Sequence, residues 1–124
     1  MGKIEHFTDL EVWRVAHELF LDVLKDLDTL PRTRAAAALT DQIIRSIGSI
    51  GANISEGFNR SKAKFLNSLD IALGEVHESE NWLYKLRDAG FIERDRADAH
   101  VRECVRIGKM LSSLIRSIRS RPDN

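Results

Sequence analysis

QIIRSIGSIGANISEGFNR, residues 42–60, carries two helical stripes at once. Ile43, Ile47, Ile50 and Ile54 recur at steps of four, three and four, so they share one face of a helix. Arg45, Ser49, Asn53 and Glu56 recur at steps of four, four and three, on a face largely opposite. Between them stand Gly48 and Gly51, each costing a helix about 1 kcal/mol relative to alanine. That cost is tolerated where another element must approach the backbone closely, or where the helix must bend. One face has a core to fill, and the other is chemically specific and implies a partner.

Working outward, four helical segments emerge, at roughly 8–30, 34–59, 62–89 and 95–120. The first opens on Thr8 and Glu11, the T-x-x-E spacing of a capping box, with Phe7 and Val12 placed for a hydrophobic staple. Trp13, Ala16, Phe20, Val23 and Leu27 then form its apolar face, and Pro31 ends it. The second begins near Thr33 or Arg34 and is driven by Ala35 to Ala38. Ser61 caps the third, whose repeat runs through Phe65, Leu69, Ala72, Val76, Ser79, Leu83 and Leu86 before Gly90 stops it. The fourth carries Val101, Cys104, Gly108, Leu111, Ile115 and Ile118. No strand pattern is present. Long amphipathic helices joined by short connections make antiparallel neighbours, so the chain reads as all-α, an antiparallel up-down-up-down four-helix bundle in a single domain, 1–124.

Composition narrows the function classes. Of 124 residues, 43% are hydrophobic and 31% charged, which describes a folded domain rather than a disordered chain. Nineteen basic residues balance nineteen acidic ones, so attraction to nucleic acid or to an anionic membrane has to come from local asymmetry. One cysteine excludes an internal disulfide. The N-terminal MGKIEHFTDLEVW has no apolar signal core, and no apolar run approaches a membrane span, which points to a cytoplasmic protein.

Catalytic and metal chemistry find little support. A di-iron bundle needs Glu-x-x-His on two helices, and none of His6, His17, His77 and His100 has a glutamate three residues before it. The reversed pairs His77 with Glu80 and His100 with Glu103 read as solvated neighbours, so no metal and no cofactor are expected. Cys104 occupies an apolar repeat position and reads as a core residue. The segment GSIGANISEG lacks the Gly-Lys-Ser/Thr ending of a phosphate loop and follows no strand. Charge is the richer signal. Arg102, Arg106, Lys109 and Arg116 fall within an arc of about 80° at 100° per residue, and Arg119 extends it. The first helix is acidic, with Asp9, Glu11, Glu18, Asp22, Asp26 and Asp28. Two solvated faces attracting each other, within or between subunits, is the plain reading, and a phosphate track on nucleic acid is the alternative. Trp13 reads as core and Trp82 as a boundary or subunit-contact residue. Glu78 or Glu80 could reach Arg45 across a helix pair, or both could face water.

These residues resemble a known bacterial family: the small four-helix-bundle proteins encoded in intervening sequences of large-subunit (23S) ribosomal RNA genes, with their free-standing relatives. The resemblance spans about residues 7–118 and rests on FTDLEVW near the start, on Gln42, Arg45, Ser49, Ile50, Asn53, Ile54, Glu56 and Gly57, and on ALGEVHESENWL at 72–83. It implies a bundle that assembles as a ring-like homopentamer, with no enzymatic activity attached to the motif. It also extends to an accessory protein of retroelements that binds a reverse transcriptase and nucleic acid. The chain departs from the family pattern at three places. Gly51 stands where proline is usual, Glu75 where serine is usual, and Ala35–Ala38 replace an acidic-aromatic start. The neutral charge also contrasts with the strongly basic accessory proteins.

The resulting expectation is a non-enzymatic, self-assembling bundle that serves as an interaction scaffold. It would be a homo-oligomer, a pentamer by resemblance, with no membrane partner and no small-molecule substrate. Gln42, Arg45, Ser49, Asn53, Glu56, Gly57 and Glu78 would form a polar network at a helix or subunit boundary. The alternative is a nucleic-acid-binding accessory protein, partnering a reverse transcriptase and using Arg102, Arg106, Lys109, Arg116 and Arg119.

Overall fold

A computed structural model describes residues 2–123. Four helices follow one another: α1 (Glu11–Leu27), α2 (Arg34–Gly57), α3 (Lys62–Asp88) and α4 (Arg94–Arg119). Each packs against its chain neighbours, and α4 closes back on α1, which makes the up-down-up-down bundle. Among the described residues there is no strand. Among the same residues no helix is long and apolar enough to cross a membrane.

The local chemistry explains most boundaries. Thr33 accepts from the Ala36 backbone N–H at 3.2 Å and starts α2, and Ser61 does the same for α3 through Lys64. Gly90, at φ +80°, turns the chain out of α3, and the backbone N–H groups of Phe91 and Ile92 then return to the Leu86 carbonyl. Helix α4 starts at Arg94, one residue before the sequence-based start, and the carboxylate of Glu93 caps it, accepting from the Arg96 N–H at 3.1 Å. The beginning of α1 differs from expectation. Thr8 does not cap it. Residues Phe7–Asp9 form a separate 3-10 turn capped by His6, and α1 starts only after Leu10, which offers no side-chain cap. The cause is local competition: Asp9 takes the backbone N–H groups of Glu5 and His6 at 2.9 Å each, and Thr8 Oγ1 pairs with His6 Nδ1 at 2.9 Å. At its other end α1 stops at Leu27, because the Thr29 hydroxyl donates to the Asp26 carbonyl and turns the chain before Pro31.

The core is the four apolar stripes laid together. Ile43, Ile47, Ile50 and Ile54 of α2 face Leu69, Val76, Leu83 and Leu86 of α3 and Ile107 and Leu111 of α4, all essentially inaccessible to water. Burying each such side chain contributes about 1.5–3 kcal/mol. On α1 the buried set is Val12, Val15, Ala16, Leu19, Val23 and Leu27, so its core face is rotated from the expected one. Trp13 and Phe20 instead lie half-buried over the α1–α2 seam. The glycines are the reason. A Cβ at Gly48 would stand 3.4 Å from the Phe20 ring, and one at Gly51 3.2 Å from Trp13 Nε1. Helix α2 runs unbroken through both, so here glycine provides close approach rather than a bend.

Candidate functional site

The polar stripe of α2 lies along its seam with α3. Arg45 reaches across to the Glu78 carboxylate in a close ion pair and also donates to Gln42 Oε1 at 3.3 Å. Glu78 in turn accepts from the Trp82 indole N–H at 3.2 Å. Four residues, Gln42, Arg45, Glu78 and Trp82, are therefore joined across the seam. Ser49 and Asn53 are not part of that network. The Ser49 hydroxyl donates to the Arg45 carbonyl at 2.7 Å, and the Asn53 amide donates to the Ser49 carbonyl at 2.8 Å. Each spends its polarity on the backbone of its own helix, as short polar side chains do when a carbonyl one turn back lies within reach. Glu56 is exposed and makes no hydrogen bond or ion pair among the described residues. Gly57 is buried, and a Cβ there would stand 2.5 Å from Ser68 Cβ and Oγ, so α2 and α3 approach closely at that point. Beneath the surface network, Ser79 donates to Ser46 at 3.0 Å, and both are wholly buried. The seam thus has a hydroxyl pair inside and an ion pair at its edge. Glu80 does not join it and lines the α3–α4 groove instead.

The basic face of α4 points outward. Arg106 is shared between Glu103 at 3.2 Å and Glu11 of α1 at 3.7 Å. Arg102, Lys109, Arg116 and Arg119 are exposed and make no side-chain ion pair among the described residues.

The α1–α4 seam holds a cluster that the sequence reading missed. Asp26, 7% exposed, accepts from Arg96 Nε at 2.6 Å and lies 2.5 Å from His100 Nε2, itself 7% exposed. Burial alone would raise the Asp26 pKa, but the hydrogen bonds from Arg96 and His100 outweigh it and hold the carboxyl below its ordinary 3.8. Asp26 was read as one more acid on a solvated face, and His100 was weighed against Glu103. The signal available was that Val23, Asp26 and Leu27 fall on one side of α1, so an acid stood in the apolar stripe. Cys104 is fully buried, and burial pushes its thiol up to about 12, so it packs as a small apolar side chain and is not an activated nucleophile.

Taken together, these features define an all-α antiparallel four-helix bundle whose inward polar groups stitch helix to helix and whose uncompensated charges face out. The family model of the 23S rRNA-intervening sequence protein matches residues 8–113, and the chain belongs to that family. The fold is similar to a crystal structure of a protein of unknown function from the S23 ribosomal protein family of Bacteroides thetaiotaomicron VPI-5482. The two are 33% identical, with a TM-score of 0.77 over 84% of this chain and 97% of that one. No functionally curated protein matches the chain.

Proposed function

We propose that this protein is a non-enzymatic, self-assembling bundle that acts as an interaction scaffold in the cytoplasm. The observation that carries the reading is the placement of opposite charge around exposed apolar side chains on two different faces. On α1, Leu21 is 44% exposed and flanked by Glu18 and Asp22. On α4, Val105 is 42% exposed and flanked by Arg102 and Lys109. Among the described residues, Glu18 makes no ion pair and Asp22 gains only a 3.9 Å contact with Lys25. An acidic patch with an apolar centre on one subunit suits a basic patch with an apolar centre on the next. Joining two different patches head to tail closes into a ring when the rotation permits. The family resemblance supports five subunits, and zero net charge suits a chain whose charges are answered by its own copies.

The test is charge-swap complementation. Light scattering should give a multimer for the wild type and monomers for Arg102→Glu/Lys109→Glu and for Glu18→Lys/Asp22→Lys. Mixing the two variants should rebuild assemblies containing both. A monomeric wild type refutes the reading.

A second reading is supported by the unpaired Arg102, Lys109, Arg116 and Arg119, with Arg106 beside them. In it the α4 face tracks phosphates as part of a nucleic-acid accessory protein, and a ring multiplies a modest patch. RNA and DNA gel shifts at low and high salt distinguish the two. Binding that weakens steeply with salt, and vanishes in Arg116→Glu/Arg119→Glu while the oligomer mass stays unchanged, favours this second role.

A further inference from the structure

The end of the bundle where α1 and α3 begin and α2 and α4 finish holds a half-open cavity of about 540 Å³. Its walls are apolar, with Leu10, Phe58, Phe65, Leu114 and Ile118 among them. Phe58 and Phe65, both on its wall, meet edge to face at 6.1 Å. Its charged lining is of one sign, with the Asn59 amide beside it. Arg60, Lys62 and Arg121 stand around it, and among the described residues no carboxylate, histidine, cysteine or hydroxyl lines it.

The three cations are not equivalent. Lys62 donates to the carbonyls of Arg119 and Arg121, at 3.3 and 2.6 Å, and to Asp123 at 2.9 Å. Its charge is spent tying the end of α4 to the start of α3, which closes one side of the cavity. Arg60 and Arg121 are exposed and have no ion pair among the described residues. Asn59, between Phe58 and Arg60, sits in the left-handed region at φ 61°, a conformation asparagine tolerates, so the connection turns sharply and sets Phe58 and Arg60 at the same opening.

We propose that this cavity binds an amphiphilic monoanion, an apolar body of about ten carbons seated on the aromatic and aliphatic walls with a carboxylate held by Arg60 and Arg121. The volume lies within the range of small-ligand pockets, whose walls are mainly apolar with a few convergent polar groups. Guanidinium groups bind a carboxylate through paired N–H donors, which gives the head a defined place. Among the described residues the lining has no nucleophile and no proton-transfer group, so the cavity holds a ligand rather than transforming it. The proposal is independent of self-assembly, because its residues lie apart from the Leu21 and Val105 faces.

Calorimetric titration of the full chain with decanoate, beside decanol, tests both halves. Decanoate should bind saturably, with amide NMR shifts confined to residues near 4–10, 58–65 and 114–122, and decanol should bind about tenfold more weakly or worse. Arg60→Glu/Arg121→Glu, on exposed positions that leave the core intact, should weaken decanoate by a similar factor, whereas Arg102→Glu should not. The proposal is overturned if decanoate gives no saturable binding up to about 1 mM. Shifts that map to the other end of the bundle, or an affinity unchanged by the double reversal, overturn it equally.

Discussion

The two polar seams of this bundle solve the same problem in opposite ways. Between α1 and α4, Asp26 is buried with a full charge and matched by Arg96 and His100. Between α2 and α3, only two neutral hydroxyls, Ser46 and Ser79, are buried, and the charges of Arg45 and Glu78 are kept at the edge. An interior charge is stable only while all its partners remain, whereas a hydroxyl pair can be exchanged for apolar groups at little cost. The first seam should therefore be brittle and the second tolerant.

The largest expected effect follows directly. His100→Ala leaves the Asp26 carboxylate buried with one partner gone and should cost about 3–5 kcal/mol in urea unfolding. Asp26→Ala should cost less, because Arg96, 56% exposed, stays solvated and only His100 loses a buried partner. The seam should also fail in acid. Because the folded-state pKa of Asp26 lies below 3.8, its contribution is fully present above 3.8 and is lost as pH falls below it through the folded value. Asp26→Asn should be less stable than wild type at neutral pH and should lose less stability on acidification. A wild type and an Asp26→Asn variant with parallel acid limbs would show that Asp26 is not the group concerned.

At the α2–α3 seam the sensitive point is steric rather than ionic. Gly57→Ala places a methyl 2.5 Å from Ser68, and the resulting overpacking should cost about 1–3 kcal/mol against a helix-propensity gain of about 1. Gly57→Ala/Ser68→Gly should recover part of that loss by clearing the opposing Cβ. A single variant as stable as wild type would mean that the two helices can separate there without penalty.

What could be read from sequence tracks this same division. The 3.6-residue spacing of isoleucine and leucine fixes the helices and their order, since it reflects burial along a continuous face. It also finds the Arg45 stripe, because a polar stripe on an amphipathic helix stands out against its apolar one. Within that stripe, periodicity could not tell Arg45, which has Glu78 opposite it, from Ser49 and Asn53, which bond to their own backbone. Partner choice depends on the facing helix, and only the fold supplies that. The partners of Asp26 were illegible for the same reason, since Arg96 and His100 stand 70 and 74 residues along the chain from it. At the N-terminus a valid capping spacing, Thr8 to Glu11, lost to an equally local competitor, the Asp9 carboxylate.

A smaller effect separates edge from interior. Arg45→Ala removes a partly exposed ion pair, with side chains 55% and 34% accessible, and should cost at most about 1 kcal/mol. It should still exceed Arg14→Ala, which loses only a bond from an exposed guanidinium to the Thr8 carbonyl. Equal melting temperatures and equal oligomer masses for the two variants would remove any special role for Arg45.

The smallest effect is the most diagnostic of a tolerant seam. Ser79→Ala alone takes from Ser46 its cross-helix partner but leaves it the Ile43 carbonyl at 3.3 Å, so it should cost about 0.5–1.5 kcal/mol. Ser46→Ala/Ser79→Ala removes donor and acceptor together and leaves two methyl groups facing one another in a dry interface. Its stability should return to within about 0.5 kcal/mol of wild type, which makes the double change milder than the single one. If the losses simply add, the hydroxyl pair contributes more than its own hydrogen bond. The α2–α3 seam would then depend on specific polar pairing as the α1–α4 seam does.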